Sequence, residues 1–239
     1  MILSFTNGKG GTGKSTLGTY TAEYLYRHGA KVLIIDVDPN CSISEIYGFI
    51  LKDENSKELL TGRDVKPYRK KATDINYIDI IPSDLDLSML SNITDIQLRR
   101  QIQKQGFNNV YDYIIIDPPG AWNAQTRNAV FAADTVIVCG KCSPLDYKAT
   151  VKYMELLESC GLESEVFVVC NAYNKRRDPD NTLQKYIDTF GDFLVMPPLP
   201  EVNSLQRIAS NPDYKINKTV QNRFSDFIAA ITNKQWEQT

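Results

Sequence analysis

A strand-like run, Ile2-Leu3-Ser4-Phe5-Thr6, leads into Gly8-Lys9-Gly10-Gly11-Thr12-Gly13-Lys14-Ser15, and a helix-like stretch follows. No other segment restricts the fold so tightly. The octapeptide satisfies the P-loop pattern G-x-x-x-x-G-K-S/T, and a place between strand and helix is the context that pattern requires. Its glycines let backbone N–H groups turn inward around phosphate oxygens. The amino-terminal end of the helix adds partial positive charge at the same point. Lys14 is expected to reach the β- and γ-phosphates of a nucleotide, and the Ser15 hydroxyl to ligate Mg²⁺. Ser15 or Thr16 opens the helix. Leu17, Tyr20, Tyr24 and Leu25 recur on one face, and Gly29 after His28 stops it.

The rest of the chain repeats this alternation. Apolar, β-branched runs occupy 32–36, 77–81, 113–117, 135–139 and 166–171, with helix-length stretches between them. Runs that are apolar almost throughout suit strands covered on both faces. Strands alternating with helices imply right-handed βαβ units. The expected fold is one α/β P-loop NTPase domain over residues 1–239, a mostly parallel twisted sheet with helices on both faces. The least regular part, 51–73, carries Lys66-Pro67-Tyr68-Arg69-Lys70-Lys71 and reads as an exposed connection.

Two strands end in acid. Val32-Leu33-Ile34-Ile35-Asp36-Val37-Asp38-Pro39-Asn40 closes one, and Tyr113-Ile114-Ile115-Ile116-Asp117-Pro118-Pro119-Gly120 another. Ligands of open α/β sheets sit at the carboxyl ends of strands. A single Asp at a strand end is usually a turn or cap residue. Asp36, Asp38 and Asp117 converging on one phosphate loop point instead to a Mg²⁺ site, with Asp117 as its Walker B carboxylate.

Composition removes several other chemistries. Lys and Arg number 27 against 29 Asp and Glu, a net charge of −2, so any nucleic-acid binding must come from a local patch. A single histidine, His28, argues against a His-rich metal site or a Ser-His-Asp triad, and it reads as a helix-end residue. No run approaches the ~18–20 apolar residues of a membrane-spanning helix. The first residues lack the basic segment and cleavage site of a signal peptide. Five cysteines without disulfide-like spacing fit a reducing cytoplasm. Cys139-Gly140-Lys141-Cys142 is a C-x-x-C, but no second ligand pair and no thioredoxin-like context accompany it. Cys139 therefore reads as the end of a buried strand.

Lys9 is a second cation in a loop whose usual lysine position Lys14 already fills. Two cations so close repel unless negative charge lies between them. Nucleotide phosphate supplies that charge, including phosphate held by a second subunit; a solvated loop lysine is the plainer alternative.

With Lys9 included, Lys-Gly-Gly-Thr-Gly-Lys-Ser resembles the deviant Walker A motif of the ParA/MinD family of ATPases. Asp36-Val37-Asp38-Pro39-Asn40 resembles the family's Asp-x-Asp-Pro-Gln element, and Ile78-Asp79-Ile80-Ile81-Pro82-Ser83 its third-strand ending. Residues 111–117 resemble its Walker B strand, and Ser143-Pro144-Leu145-Asp146-Tyr147 the segment after its fifth strand. Val168-Val169-Cys170-Asn171 and Pro200-Glu201-Val202-Asn203 resemble adenine-contacting segments of its relatives. Asn40 replaces the usual Gln, and Pro118 follows the Walker B Asp where a small or polar residue is common.

The resemblance implies an ATP-bound sandwich dimer with Mg²⁺. Each Lys9 would cross to the phosphates held by the other subunit and act as an arginine finger does. Asp38 would orient the attacking water, Asp36 would support the Mg²⁺ shell, and Asn171, Pro200, Val202 and Asn203 would contact the adenine. Segments 39–48 and 118–123 would be switch loops sensing the γ-phosphate. Within the family the chain resembles a short ParA partition ATPase, cytoplasmic and nucleoid-associated when ATP-bound. It would bind DNA without sequence preference and be stimulated by a ParB-like partner. The chain starts on its first strand, so an N-terminal helix-turn-helix is not expected. Basic candidates for DNA phosphates are Arg99, Arg100 and Lys104, then Lys175, Arg176 and Arg177, then Arg207, Lys215, Lys218 and Arg223. A MinD-like membrane-cycling ATPase is the alternative. Phe224, Phe227, Ile228 and Ile231 do fall at helical spacing, but Arg223, Asp226, Lys234 and Glu237 cancel, and no basic face results. A nucleotide-binding regulatory scaffold without turnover is a further alternative, against which Lys9 and Asp38 argue.

Overall fold

In a computed structural model of the chain, residues 1–50, 52–178, 181–201 and 217–234 are described. Strands form where the apolar runs lie: β1 (Ile2–Thr6), β2 (Val32–Asp36), β4 (Tyr77–Ile81), β5 (Tyr113–Asp117), β6 (Thr135–Lys141) and β7 (Glu165–Asn171). Two more complete the sheet, β3 (Tyr68–Ala72) and β8 (Leu194–Val195). The order is β3-β4-β2-β5-β1-β6-β7-β8. Every pairing is parallel except β3 with β4.

Side chains alternate across the sheet with the period of two that pleating dictates. Leu3, Phe5, Val32, Ile34, Tyr113 and Ile115 face one apolar layer. Ile2, Leu33, Ile35, Ile114 and Ile116 face the other. The first layer is closed by α1 (Lys14–Arg27), α2 (Ser42–Tyr47) and the last described helix, α9 (Lys218–Thr232). Phe224, Phe227, Ile228 and Ile231 of α9 are each no more than 1% exposed. At about 1.5–3 kcal/mol per buried side chain, that face belongs to the core. It is not left over for a lipid surface.

The second layer is closed by α3 (Ser56–Leu60), α4 (Gln97–Lys104), α5 (Phe107–Val110), α6 (Ala124–Ala132), α7 (Pro144–Ser159) and α8 (Thr182–Phe190). No helix among the described residues is long and apolar enough to cross a membrane.

The segment 51–73 is not a plain exposed connection. It contains α3 and the antiparallel edge strand β3. The basic residues of β3 are anchored by partners distant in sequence. Lys71 Nζ donates to both oxygens of Glu23, at 2.8 and 2.7 Å, and Glu23 is only 1% exposed. Tyr47 donates to the same carboxylate at 3.2 Å, and Lys70 Nζ donates to the Tyr47 carbonyl at 2.8 Å. Arg69 pairs with buried Asp79, which also accepts from the Tyr111 hydroxyl. Charged residues on an edge strand also guard it against pairing with another chain.

Candidate functional site

The carboxyl ends of β1, β2, β5, β6 and β7 open on one cleft of about 540 Å³. It is lined by Gly10, Gly11, Gly13, Lys14, Ser15 and Thr16 of the loop, and by Asp38, Asn171 and Pro200. The sequence placed all nine there. Val202, Asn203, Arg207 and Lys215 lie outside the described residues.

The loop is anchored from below. Asn7 Nδ2 donates to the Cys139 carbonyl at 2.7 Å and to Thr150 Oγ1 at 3.2 Å, while Asn7 Oδ1 accepts the Lys9 N–H. Tyr153 hydrogen-bonds Thr6 at 2.5 Å, and its ring lies 3.0 Å from where a Cβ of Gly8 would stand. Trp122, in the loop 118–123, packs edge-on against that ring. A Cβ on Gly120 would stand 3.2 Å from the Gly10 nitrogen, so this loop rests directly on the phosphate loop. Lys14 begins α1 and is 7% exposed; Gly13 caps the helix without a side-chain bond, leaving its first N–H groups for a ligand.

Beneath the loop, Asp36 and Asp117 are paired neighbours on β2 and β5, and both are fully buried. Asp36 is occupied: its oxygens accept from the Asp38 N–H (3.1 Å), the Ser44 N–H (2.9 Å) and the Ser44 hydroxyl (2.6 Å). Burial pushes its carboxyl up to about 6 against the pull of those hydrogen bonds. Neither oxygen of Asp117 has a hydrogen-bond partner among the described residues. Burial, and then the neighbouring Asp36, push its carboxyl well above the carboxylate range. A buried acid with both oxygens uncommitted fits a divalent cation, whose charge removes the penalty. Ser15 and Asp117 would hold Mg²⁺ directly. Asp36 fixes the start of the 39–48 loop and α2.

Asp38 is 6% exposed, and its Oδ1 accepts both the backbone N–H and the side-chain amide of Asn40 at 2.9 Å. The Asn that replaces Gln thus orients this acid.

Lys9 does not stand free. Its Nζ pairs with Asp146 Oδ1 at 2.9 Å, and Asp146 is held in turn by the Ser143 hydroxyl at 2.5 Å. Ser143 caps α7, with Asp146 in the first turn. The negative charge that stabilises two lysines in one loop is therefore supplied within the chain, and the inference that phosphate must supply it is corrected. The signal in the sequence was the capping pattern Ser143-x-x-Asp146, which places a carboxylate at a helix start without revealing that the start faces Lys9. Asn7 and Lys141, which also lines the cleft, were missed; each directly follows or ends an apolar strand run.

Asn171, at the end of β7, donates from Nδ2 to the Thr12 carbonyl at 3.0 Å and accepts the Ala172 N–H at 2.8 Å. All five cysteines are free, Cys139 is buried, and its thiol is pushed up to about 12 by burial. No cluster of potential metal-ligating His, Cys, Asp and Glu occurs among the described residues.

The basic candidates for a nucleic-acid surface divide. Arg99 donates to the Ala132 carbonyl and pairs with Asp134, Lys104 pairs with Asp64, and Arg177 pairs with Glu201. Arg223 donates to the Pro198 carbonyl. Arg100, Lys175, Arg176 and Lys218 are exposed, with no ion-pair partner among the described residues.

Comparison with known proteins places this geometry. An AAA domain family model matches residues 1–160. The chain is 32% identical over 199 residues to a virulence plasmid ParA family protein of Chlamydia trachomatis, covering 78% of this chain and 73% of that protein. It is 29% identical over 205 residues to the chromosome partitioning protein ParA of Caulobacter vibrioides, covering 80% and 77%. A Borrelia burgdorferi plasmid partition protein bound to AMPPNP shares the fold with a TM-score of 0.80 at 23% identity, covering 97% and 98%.

Proposed function

The chain belongs to the ParA family of P-loop NTPases, and on that premise we propose that it is a Mg²⁺-dependent ATPase whose ATP-bound dimer binds DNA without sequence preference to position a replicon. The observation that carries the reading is the orphaned pair of Asp117 oxygens beneath a phosphate loop holding two lysines. Backbone N–H groups of residues 10–15 and the Lys14 ammonium bind the β- and γ-phosphates. Mg²⁺, when bound, neutralises phosphate charge and is held by Ser15 and Asp117, with Asp36 supporting. Asp38, fixed by Asn40, orients the attacking water. Lys9 leaves Asp146 and reaches the phosphates of the second subunit, where it stabilises transition-state charge.

The 39–48 loop joins Asp36 and Asp38 to α2, and the 118–123 loop rests on Gly10, so both are placed to respond to the γ-phosphate. The relatives named for chromosome partitioning and for a virulence plasmid support DNA as the cargo. A ParB-like partner stimulates hydrolysis, and the ATP form is nucleoid-associated in the cytoplasm. DNA phosphates meet the unpaired cations, Arg100, Lys175, Arg176 and Lys218, doubled by dimerisation.

ATP binding and turnover test the reading. Lys14→Ala loses ATP binding, whereas Asp38→Ala binds ATP and does not hydrolyse it. Normal turnover by Asp38→Ala removes its catalytic role.

A further inference from the structure

Asn171 makes contacts that a base reader does not need. It is the last residue of β7, paired in register with Lys141 of β6, and is 7% exposed. Its amide has one orientation consistent with its neighbours: Nδ2 faces the Thr12 carbonyl (3.0 Å) and Oδ1 faces the Ala172 N–H (2.8 Å). Ala172 is held at φ +52°, a left-handed conformation uncommon for a residue with a side chain. On the other side the amide packs on Gly13. A Cβ there would stand 2.2 Å from Asn171 Nδ2, and Gly13 has φ +99°. Side chain and loop are therefore fitted to one another.

The consequence follows from peptide geometry. In a trans peptide the C=O of one residue and the N–H of the next point in opposite directions. Drawing the Thr12 carbonyl toward Asn171 turns the Gly13 N–H the other way. Gly13 itself lines the cleft. This peptide immediately precedes Lys14, so its N–H is among those at the start of α1 that meet phosphate.

We propose that Asn171 is a positioning residue for the phosphate loop, locking the Thr12–Gly13 peptide with its N–H toward the phosphates, rather than a reader of the adenine base. This rests on the reading of the cleft as a nucleotide site and departs from the adenine contact that family resemblance implies. A peptide left free to rotate must be ordered by the ligand, and the cost falls on any ligand with the same phosphates. The base does not enter.

The test is displacement of a fluorescent ATP analogue by ATP, GTP and inorganic tripolyphosphate, each with Mg²⁺, from wild type, Asn171→Ala and Asn171→Ser. Melting of each free protein is recorded alongside. The expected result is a loss of about five- to tenfold, the weight of one hydrogen bond, that is equal for all three competitors, with an unchanged ATP-to-GTP ratio. A folded variant that binds tripolyphosphate as wild type does, yet loses its preference for ATP over GTP, overturns the proposal in favour of a base contact. If neither variant folds, the residue is scaffold and the proposal also fails. Wild type that binds no nucleotide and no tripolyphosphate instead refutes the nucleotide-site reading itself.

Discussion

Replacing Asp146 by Asn should tighten ATP-dependent dimerisation. In the chain alone, Lys9 Nζ and Asp146 Oδ1 are 2.9 Å apart, with side chains 39% and 8% exposed. The pair lies between two regimes: exposed pairs contribute about 0.2–1 kcal/mol, and removing one partner of a buried pair costs about 3–5 kcal/mol. About 1 kcal/mol is a reasonable value for one half-covered lysine. A lysine that crosses to the other subunit must leave this carboxylate, which then keeps only the Ser143 hydroxyl. Two subunits each lose one pair, so the cost per dimer is about 2 kcal/mol, or roughly thirtyfold in the dimer dissociation constant at 1.4 kcal/mol per factor of ten. Asp146→Asn removes that cost and keeps the side-chain shape. Sedimentation equilibrium with ATP, in an Asp38→Ala background to prevent turnover, measures it directly. The advantage should shrink in 0.5 M salt, because a pair with one exposed partner is screened. It should vanish when Lys9→Ala is added, as a coupled pair requires. A dimer constant within twofold of the parent at low salt, or a weaker one, refutes the idea that the internal pair opposes dimerisation.

Asp117→Asn should raise the melting temperature of the free protein by several degrees, since a buried acid without partners costs about 1–3 kcal/mol and each kcal/mol is worth about 2–4 °C at this size. The same variant should lose the further rise that Mg²⁺-ATP gives wild type; differential scanning fluorimetry reads both. Lys71→Met leaves Glu23 buried with only the Tyr47 hydroxyl and should cost about 3–5 kcal/mol, seen as a lower urea midpoint. Lys175→Ala with Arg176→Ala should weaken DNA binding on all sequences alike and lower the salt slope by about two, whereas Arg99→Ala with Lys104→Ala, whose charges are already paired, should change little by the same filter-binding assay.

Much of the fold could be read from the chain because its strands are apolar on both faces. Ile34-Ile35 and Ile114-Ile115-Ile116 have no other place in a soluble domain. The phosphate loop was equally plain, its residue types being those the chemistry demands. What escaped notice depended on partners distant in sequence. β3, Tyr68-Arg69-Lys70-Lys71-Ala72, has no apolar pattern. It is a strand because Glu23, Tyr47 and Asp79 hold its cations. β8 is two residues long, too short for any period to show. The partner of Lys9 stands 137 positions away, so charge spacing within the loop could not find it. Likewise the basic helix Gln97–Lys104 looked like a DNA surface, although Asp64 and Asp134 neutralise two of its three charges.

The central claim is that nucleotide gates DNA binding through a dimer that needs Lys9. Fluorescence anisotropy of one non-specific duplex, titrated with the protein in the presence of no nucleotide, ADP, ATP or a non-hydrolysable ATP analogue, tests it most directly. Binding should occur only with ATP and the analogue, persist in Asp38→Ala, and be absent in Lys9→Ala. Equal affinity in all four nucleotide conditions, or full ATP-dependent binding by Lys9→Ala, contradicts the claim.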